Sequence, residues 1–162
     1  MEPSEELELL TDRVLGARDR LRLMPFAGPG QPGPIDPDTG ESWDRLHVLG
    51  HLAEFLPYWT RQLRMAMLTG RPIGRGEAGY RARQTAIEGG SKRGERALRA
   101  GADAACGPLL RLLANLGPHD LDRDLVHDTR GPTTVREVLE RYLVGHLEAH
   151  LDQLIEATPA SI

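Results

Sequence analysis

The sequence predicts an all-α fold, a four-helix bundle with long connections, in one domain spanning residues 1–162. Two observations carry that expectation. Apolar residues recur at three- and four-residue intervals in four stretches, and segments rich in Gly, Pro and Asp separate those stretches. No run alternates apolar and polar residues as a half-buried strand would, and no internal repeat stands out. A chain of 162 residues is long enough for one core, burying about 70 % of the surface it would expose unfolded.

Leu7, Leu10, Val14, Ala17 and Leu21 lie on one helical face, so the first helix runs from about Ser4 to Met24. It stops at PFAGPGQPGPIDPDTGE, residues 25–41, where repeated Pro and Gly forbid regular structure. Ser42 is the expected N-cap of a second helix that ends near Leu68, ahead of Gly70. Pro57 sits inside it, where the missing N–H and the ring clash ordinarily kink a helix. EAGYRARQTAIE suggests a short helix interrupted at Gly89–Gly90, after which Ser91 caps a third long helix to about Leu116, bent at Gly107–Pro108. The polar segment PHDLDRDLVHDTRGP reads as a connection. Thr134 and Glu137 have capping-box spacing and open the last helix, periodic from Val135 to about Ala157. Four amphipathic helices in one compact chain pack as a bundle.

The overall totals narrow the function. Charge is mixed along the chain, 20 basic against 24 acidic residues, and of the basic ones only Lys92 is a lysine. No basic stripe marks a nucleic-acid partner. No uncharged apolar run approaches the ~20 residues of a membrane span. MEPSEELELL has neither the basic start nor the apolar core of a signal peptide, and Cys106 is the only cysteine. A cytoplasmic location is the expectation.

The last helix carries the chemistry. In YLVGHLEAHLDQL, His146 and His150 stand four apart. On a wheel of ~100° per residue, Val135, Leu139, Tyr142, Leu143, His150 and Gln153 fall within about 60° of His146, which places both histidines at the centre of the apolar stripe. A lone histidine on such a face is ordinarily a hydrogen-bonded core residue. Two neighbours each need a partner, and an unsatisfied buried polar group costs about 1–3 kcal/mol. A divalent metal satisfies both, since i and i+4 residues are ~6 Å apart and imidazole binds zinc at ~2.1 Å. The second helix repeats the spacing at His47 and His51. There His51 sits at the edge of the apolar stripe, while His47 and Glu54 lie further toward solvent. His51, His146 and His150 therefore form the expected metal site, with His47, Glu54, Tyr142 and Gln153 around it. Three imidazoles leave a position open, the pattern of catalytic rather than structural metal sites.

These residues resemble the DinB-like superfamily of metal-binding four-helix bundles, which includes the N-terminal domain of mycothiol-dependent maleylpyruvate isomerase and the bacillithiol and mycothiol S-transferases. Trp43 followed eight positions later by His51 is similar to its helix-2 signature, and His146, His150, Gln153 and Leu154 to its helix-4 signature. VHDTRGPTTVREVLE has the look of its entry into the final helix. The resemblance spans nearly the whole chain. It implies zinc or nickel on the three histidines, a homodimer in several members, and transfer of a low-molecular-weight thiol to a small electrophile. The chain ends soon after the last helix, so the isomerase's C-terminal domain and its specific reaction are not expected. The alternative is a metal- or small-molecule-binding stress-response protein without turnover, because many superfamily members have no demonstrated activity.

Other motifs fail on their own terms. Asp120, Asp122 and Asp124 begin like a calcium loop, but Leu125 and Gly131 replace the required Gly and Glu. GPGQPGPIDPDTG lacks the Gly-Lys-Ser/Thr ending of a phosphate loop. Cys106 reads as a small core residue, His119 and His127 as loop residues, and the arginines between Arg75 and Arg99 as a solvated face that could also meet the carboxylates of a thiol.

Overall fold

A computed structural model describes residues 1–37 and 40–156, apart from the side chain at 91. The fold is all-α in class, 71 % helical with little strand. Helix α1 spans Pro3–Leu23, α2 Arg45–Thr69, α3 Gly76–Arg93 and α4 Glu95–Ala114. A short antiparallel hairpin follows, β1 Asp124–His127 and β2 Gly131–Thr134. The C-terminal helical run then comprises α5 (Val135–Val138), a π-helical segment (Leu139–Val144) and α6 (Gly145–Glu156). Ala157, the expected end of that run, lies outside the described residues; position 91, the expected cap of the third long helix, falls within α3 instead, and α4 begins after Gly94. No helix among the described residues is long and apolar enough to cross a membrane.

The core is built from the stripes read in the sequence. Leu10, Val14, Ala17 and Leu21 of α1 are all buried. They meet Leu52, Leu56 and Leu63 of α2, Leu98, Leu109 and Leu113 of α4, and Leu147, Leu151 and Leu154 of α6 in one cluster. In pairs, α1 packs on α4, α4 on α2, α2 on α6 and α6 on α1; α3 lies mainly against α2.

Several local expectations are corrected. Asp44, not Ser42, caps α2: its side chain accepts from Leu46 N and His47 N at 2.9 and 3.0 Å. Ser42 Oγ instead donates to Gly33 O inside the preceding loop. Pro57 and Pro108 lie within continuous helices. Gly89–Gly90 does not interrupt α3, which breaks at Gly94, at φ 78°. Gly90 is there for contact: a Cβ on it would come within 2.4 Å of Leu46 O, and one on Gly50 within 2.6 Å of Ala86 O. The backbones of α2 and α3 thus touch where these glycines cross, a contact any side chain would push apart.

The hairpin occupies what reads in the sequence as a polar connection. Leu125 and His127 are buried and alternate with exposed neighbours. The loop before α3 joins its edge, with Ile73 N donating to Val126 O and Asp128 N to Ile73 O, both at 2.8 Å. The connection from α1 to α2 is irregular, as expected, but pinned at its start. The fully buried Arg45 guanidinium pairs with Glu95 and donates to Pro25 O at 2.8 Å, while Glu95 accepts from Ala27 N and Gly28 N.

Candidate metal centre

The site begins one turn into α2. His47 is spent at the helix start, its Nδ1 accepting from Asp44 N at 3.2 Å, so it stands apart from the other histidines. His51, a turn deeper, faces inward. It is 3 % exposed, the inward member of the pair as expected, and deeper than the edge of the stripe where the wheel puts it. Its Nε2 lies 3.2 Å from His146 Nε2, and His146 Nε2 lies 3.1 Å from His150 Nε2. One donor atom from each of the three lies within 4.8 Å of the others. Segments almost a hundred residues apart in sequence thus converge as expected.

The last helix departs from expectation, which puts its histidines at the centre of the buried stripe. The buried stripe of α6 is Leu147, Leu151 and Leu154, and His146 and His150 flank it, half-buried. A wheel with a constant angle misses this because residues 139–144 are π-helical, with Gly145 N donating to Glu140 O five positions back. Each residue of such a turn advances the helix by less than an α-helical step. Tyr142 is displaced for the same reason. It does not line the histidine cavity but stacks on Trp59, ring centroids 4.5 Å apart, and on His127.

All three imidazoles are neutral at pH 7. Burial first, then the charges of His150, His146, Arg83 and Arg75, drives His51 far below the ordinary histidine range. Burial, with His150, Arg83 and Arg75, holds His146 down to about 3. Burial lowers His150 too, partly offset by its bond to Gln153. Neutral imidazole has a free lone pair, the form that binds metals. Gln153 Oε1 sits 2.9 Å from His150 Nδ1 and accepts its proton, which leaves the lone pair on Nε2. His51 Nδ1 is buried without a hydrogen-bond partner; its nearest carboxylate oxygen is Glu54 Oε2, 3.8 Å away. Glu54 is held in turn by a two-pronged pair with Arg75, at 2.6 and 2.9 Å.

The arrangement fits a divalent ion. Two nitrogens ~2.1 Å from one ion at near-tetrahedral angles stand roughly 3.4 Å apart, close to the two spacings that His146 makes, and the three donor atoms all lie within 4.8 Å of one another. Without an ion, each close contact between neutral rings can be satisfied only by a proton that one of the two supplies. The donor set is all imidazole, suited to zinc, copper, iron or nickel rather than to calcium or magnesium.

The three rings form the floor of a cavity of about 530 Å³. Trp43 is one wall, edge-on to His51 at 5.2 Å and stacked with His150 at 6.0 Å. Phe55 packs beneath His146, 4.6 Å between centroids. Pro34, Ile35, Asp36, Pro37 and Glu41 of the α1–α2 connection also line the cavity. Arg83 of α3 completes the lining, its guanidinium 5.2 Å from the Trp43 ring. In sequence Arg83 is only one of the arginines between Arg75 and Arg99, and the connection carries no motif. The pattern Gly79, Arg83, Ala86, Gly90 could have revealed Arg83, because small residues at helical spacing mark the face of α3 turned toward α2. No family model, curated protein or solved structure matches this chain.

Proposed function

We propose that this chain is a metal-dependent S-transferase built on a DinB-like four-helix bundle, in which His51, His146 and His150 hold zinc or nickel. The observation that carries the proposal is the meeting of three neutral imidazole nitrogens at 3.1–3.2 Å contacts on the floor of an accessible cavity. The closed circuit of packing among α1, α4, α2 and α6, with α3 outside it, supports the bundle reading.

A bound divalent ion supplies Lewis acidity, which keeps a thiol ionised at neutral pH. The chain's own groups prepare the rest. Gln153 fixes the donor atom of His150. Trp43, Ile35 and the prolines of the connection give the cavity apolar walls that exclude water from a small electrophile. Arg83 offers a cation to an anionic part of the thiol or its acceptor.

The test starts with protein purified without a histidine tag and analysed for metals, then assayed with mycothiol, bacillithiol or glutathione against a generic electrophile. Near-stoichiometric zinc or nickel and a rate with one thiol are expected. Metal without a rate for any thiol makes the protein a metal-holding bundle without turnover. Absence of metal overturns the reading altogether.

A further inference from the structure

We infer that Gly145 sets the rotation of α6 by permitting the π turn at residues 139–144, and that this turn is what aims His146 and His150 at His51. Gly145 has ordinary helical dihedrals, φ −64° and ψ −34°, so its backbone alone does not call for glycine. The reason lies in the wide turn. Its N–H reaches Glu140 O, five residues back, and a Cβ at 145 would come within 2.5 Å of that same oxygen. Backbone atoms cannot yield as the end of a flexible side chain can, so an alanine here must dismantle the turn.

The two ends of the helical run are anchored separately. Before the turn, Thr134 caps the helix, Arg136 N donates to Leu121 O, and Val135 and Val138 are buried. After it, Leu147, Leu151 and Leu154 enter the core. Arg13 of α1 bridges both sides, bonded to Glu140 before the turn's end and to Glu148 beyond it, at 2.6 Å for the latter. In an unbroken α-helix residues eight apart diverge by about 80°, and the slower rotation of a π turn narrows that angle. A π turn is in effect an α-helix carrying one additional residue. Forcing α geometry on the full-length sequence turns everything beyond 145 by about one residue's rotation, ~100°, relative to what precedes it. His146 and His150 then leave the cavity.

An additional residue in the helix can be removed, so Gly145→Ala should be rescuable by a deletion, which a packing role for Gly145 does not predict. Gly145→Ala is expected to retain helicity by circular dichroism, to lose bound metal, and to lose the nuclear Overhauser contacts between the His51 and His146 rings. Deleting the exposed Arg141 in the same variant removes the additional residue, so the helix can be α throughout and both readouts are expected to return. The inference falls if Gly145→Ala keeps metal and ring contacts, or if the folded double variant regains neither. Should Gly145→Ala alone fail to fold, the double variant still decides. The metal readout rests on the reading above, whereas the ring contacts do not: a wild-type protein without metal sinks that reading and leaves this inference to be judged by the contacts.

Discussion

His51 and His127 are both buried histidines packed on aromatic rings, 3 % and 8 % exposed, yet their surroundings differ in kind. His127, at the end of β1, stacks on Tyr142 and has its Nδ1 3.0 Å from Asp128 Oδ1 and 3.3 Å from the Thr129 N–H. The protein itself supplies its polar partners. His51 has no partner for Nδ1, and its Nε2 meets only another imidazole. Burial alone therefore does not single out a candidate ligand. Whether the chain completes the hydrogen bonds of the ring does.

The comparison can be broken most directly by removing rings. His146→Ala and His51→Ala are each expected to abolish metal binding, read by metal analysis and by loss of metal-dependent stabilisation. Full occupancy in either would contradict the ligand assignment. His127→Ala is expected to keep its metal and to lose about 1–3 kcal/mol of stability, read by denaturant unfolding. A metal-free His127→Ala protein would place that ring in the site instead.

A smaller effect sharpens it. Gln153→Ala and Glu54→Gln leave all three rings in place but change what orients two of them. Metal affinity measured by competition with a chelator is expected to fall about 10- to 100-fold for Gln153→Ala. The fall should be milder for Glu54→Gln, because the carboxylate stands 3.8 Å from His51 Nδ1. Unchanged affinity in both would mean the rings are oriented by packing alone.

Acid tests the buried rings without any substitution. A histidine in the unfolded chain takes up a proton near pH 6.5, whereas His146 in the fold stays neutral down to about 3. Between those values the unfolded state binds more protons. Metal-stripped protein should thus lose stability as pH falls from about 6.5 toward 3, by up to about 1.4 kcal/mol per pH unit for each such ring. Above pH 6.5 both states carry neutral rings and the effect vanishes. Melting temperatures between pH 7 and 4 should fall less steeply in His146→Ala; equal slopes would deny that ring its burial.

Much of this was legible from local pattern. The α1 stripe, the capping box at Thr134 and Glu137, and the three histidines needed only periodicity and chemistry. What escaped depended on partners distant in sequence. Gly90 resembles a helix breaker until Leu46 O is known to lie against it. The four-residue strands of the hairpin are too short for alternation to register, although Leu125 and His127 do alternate. The π turn cannot be read from a wheel that assumes one angle throughout. Its trace was Gly145, between Val144 and His146 on the helix with the clearest periodicity.

The crossing of α2 and α3 has one further consequence. Gly50 immediately precedes His51, and Gly90 lies two turns beyond Arg83, so the floor and one wall of the cavity are tied through main chain resting on main chain. Such a tie acts as a ruler of fixed length. The opening cannot broaden by swinging α3 outward on flexible side chains. A methyl group at either glycine would be a spacer prising the helices apart.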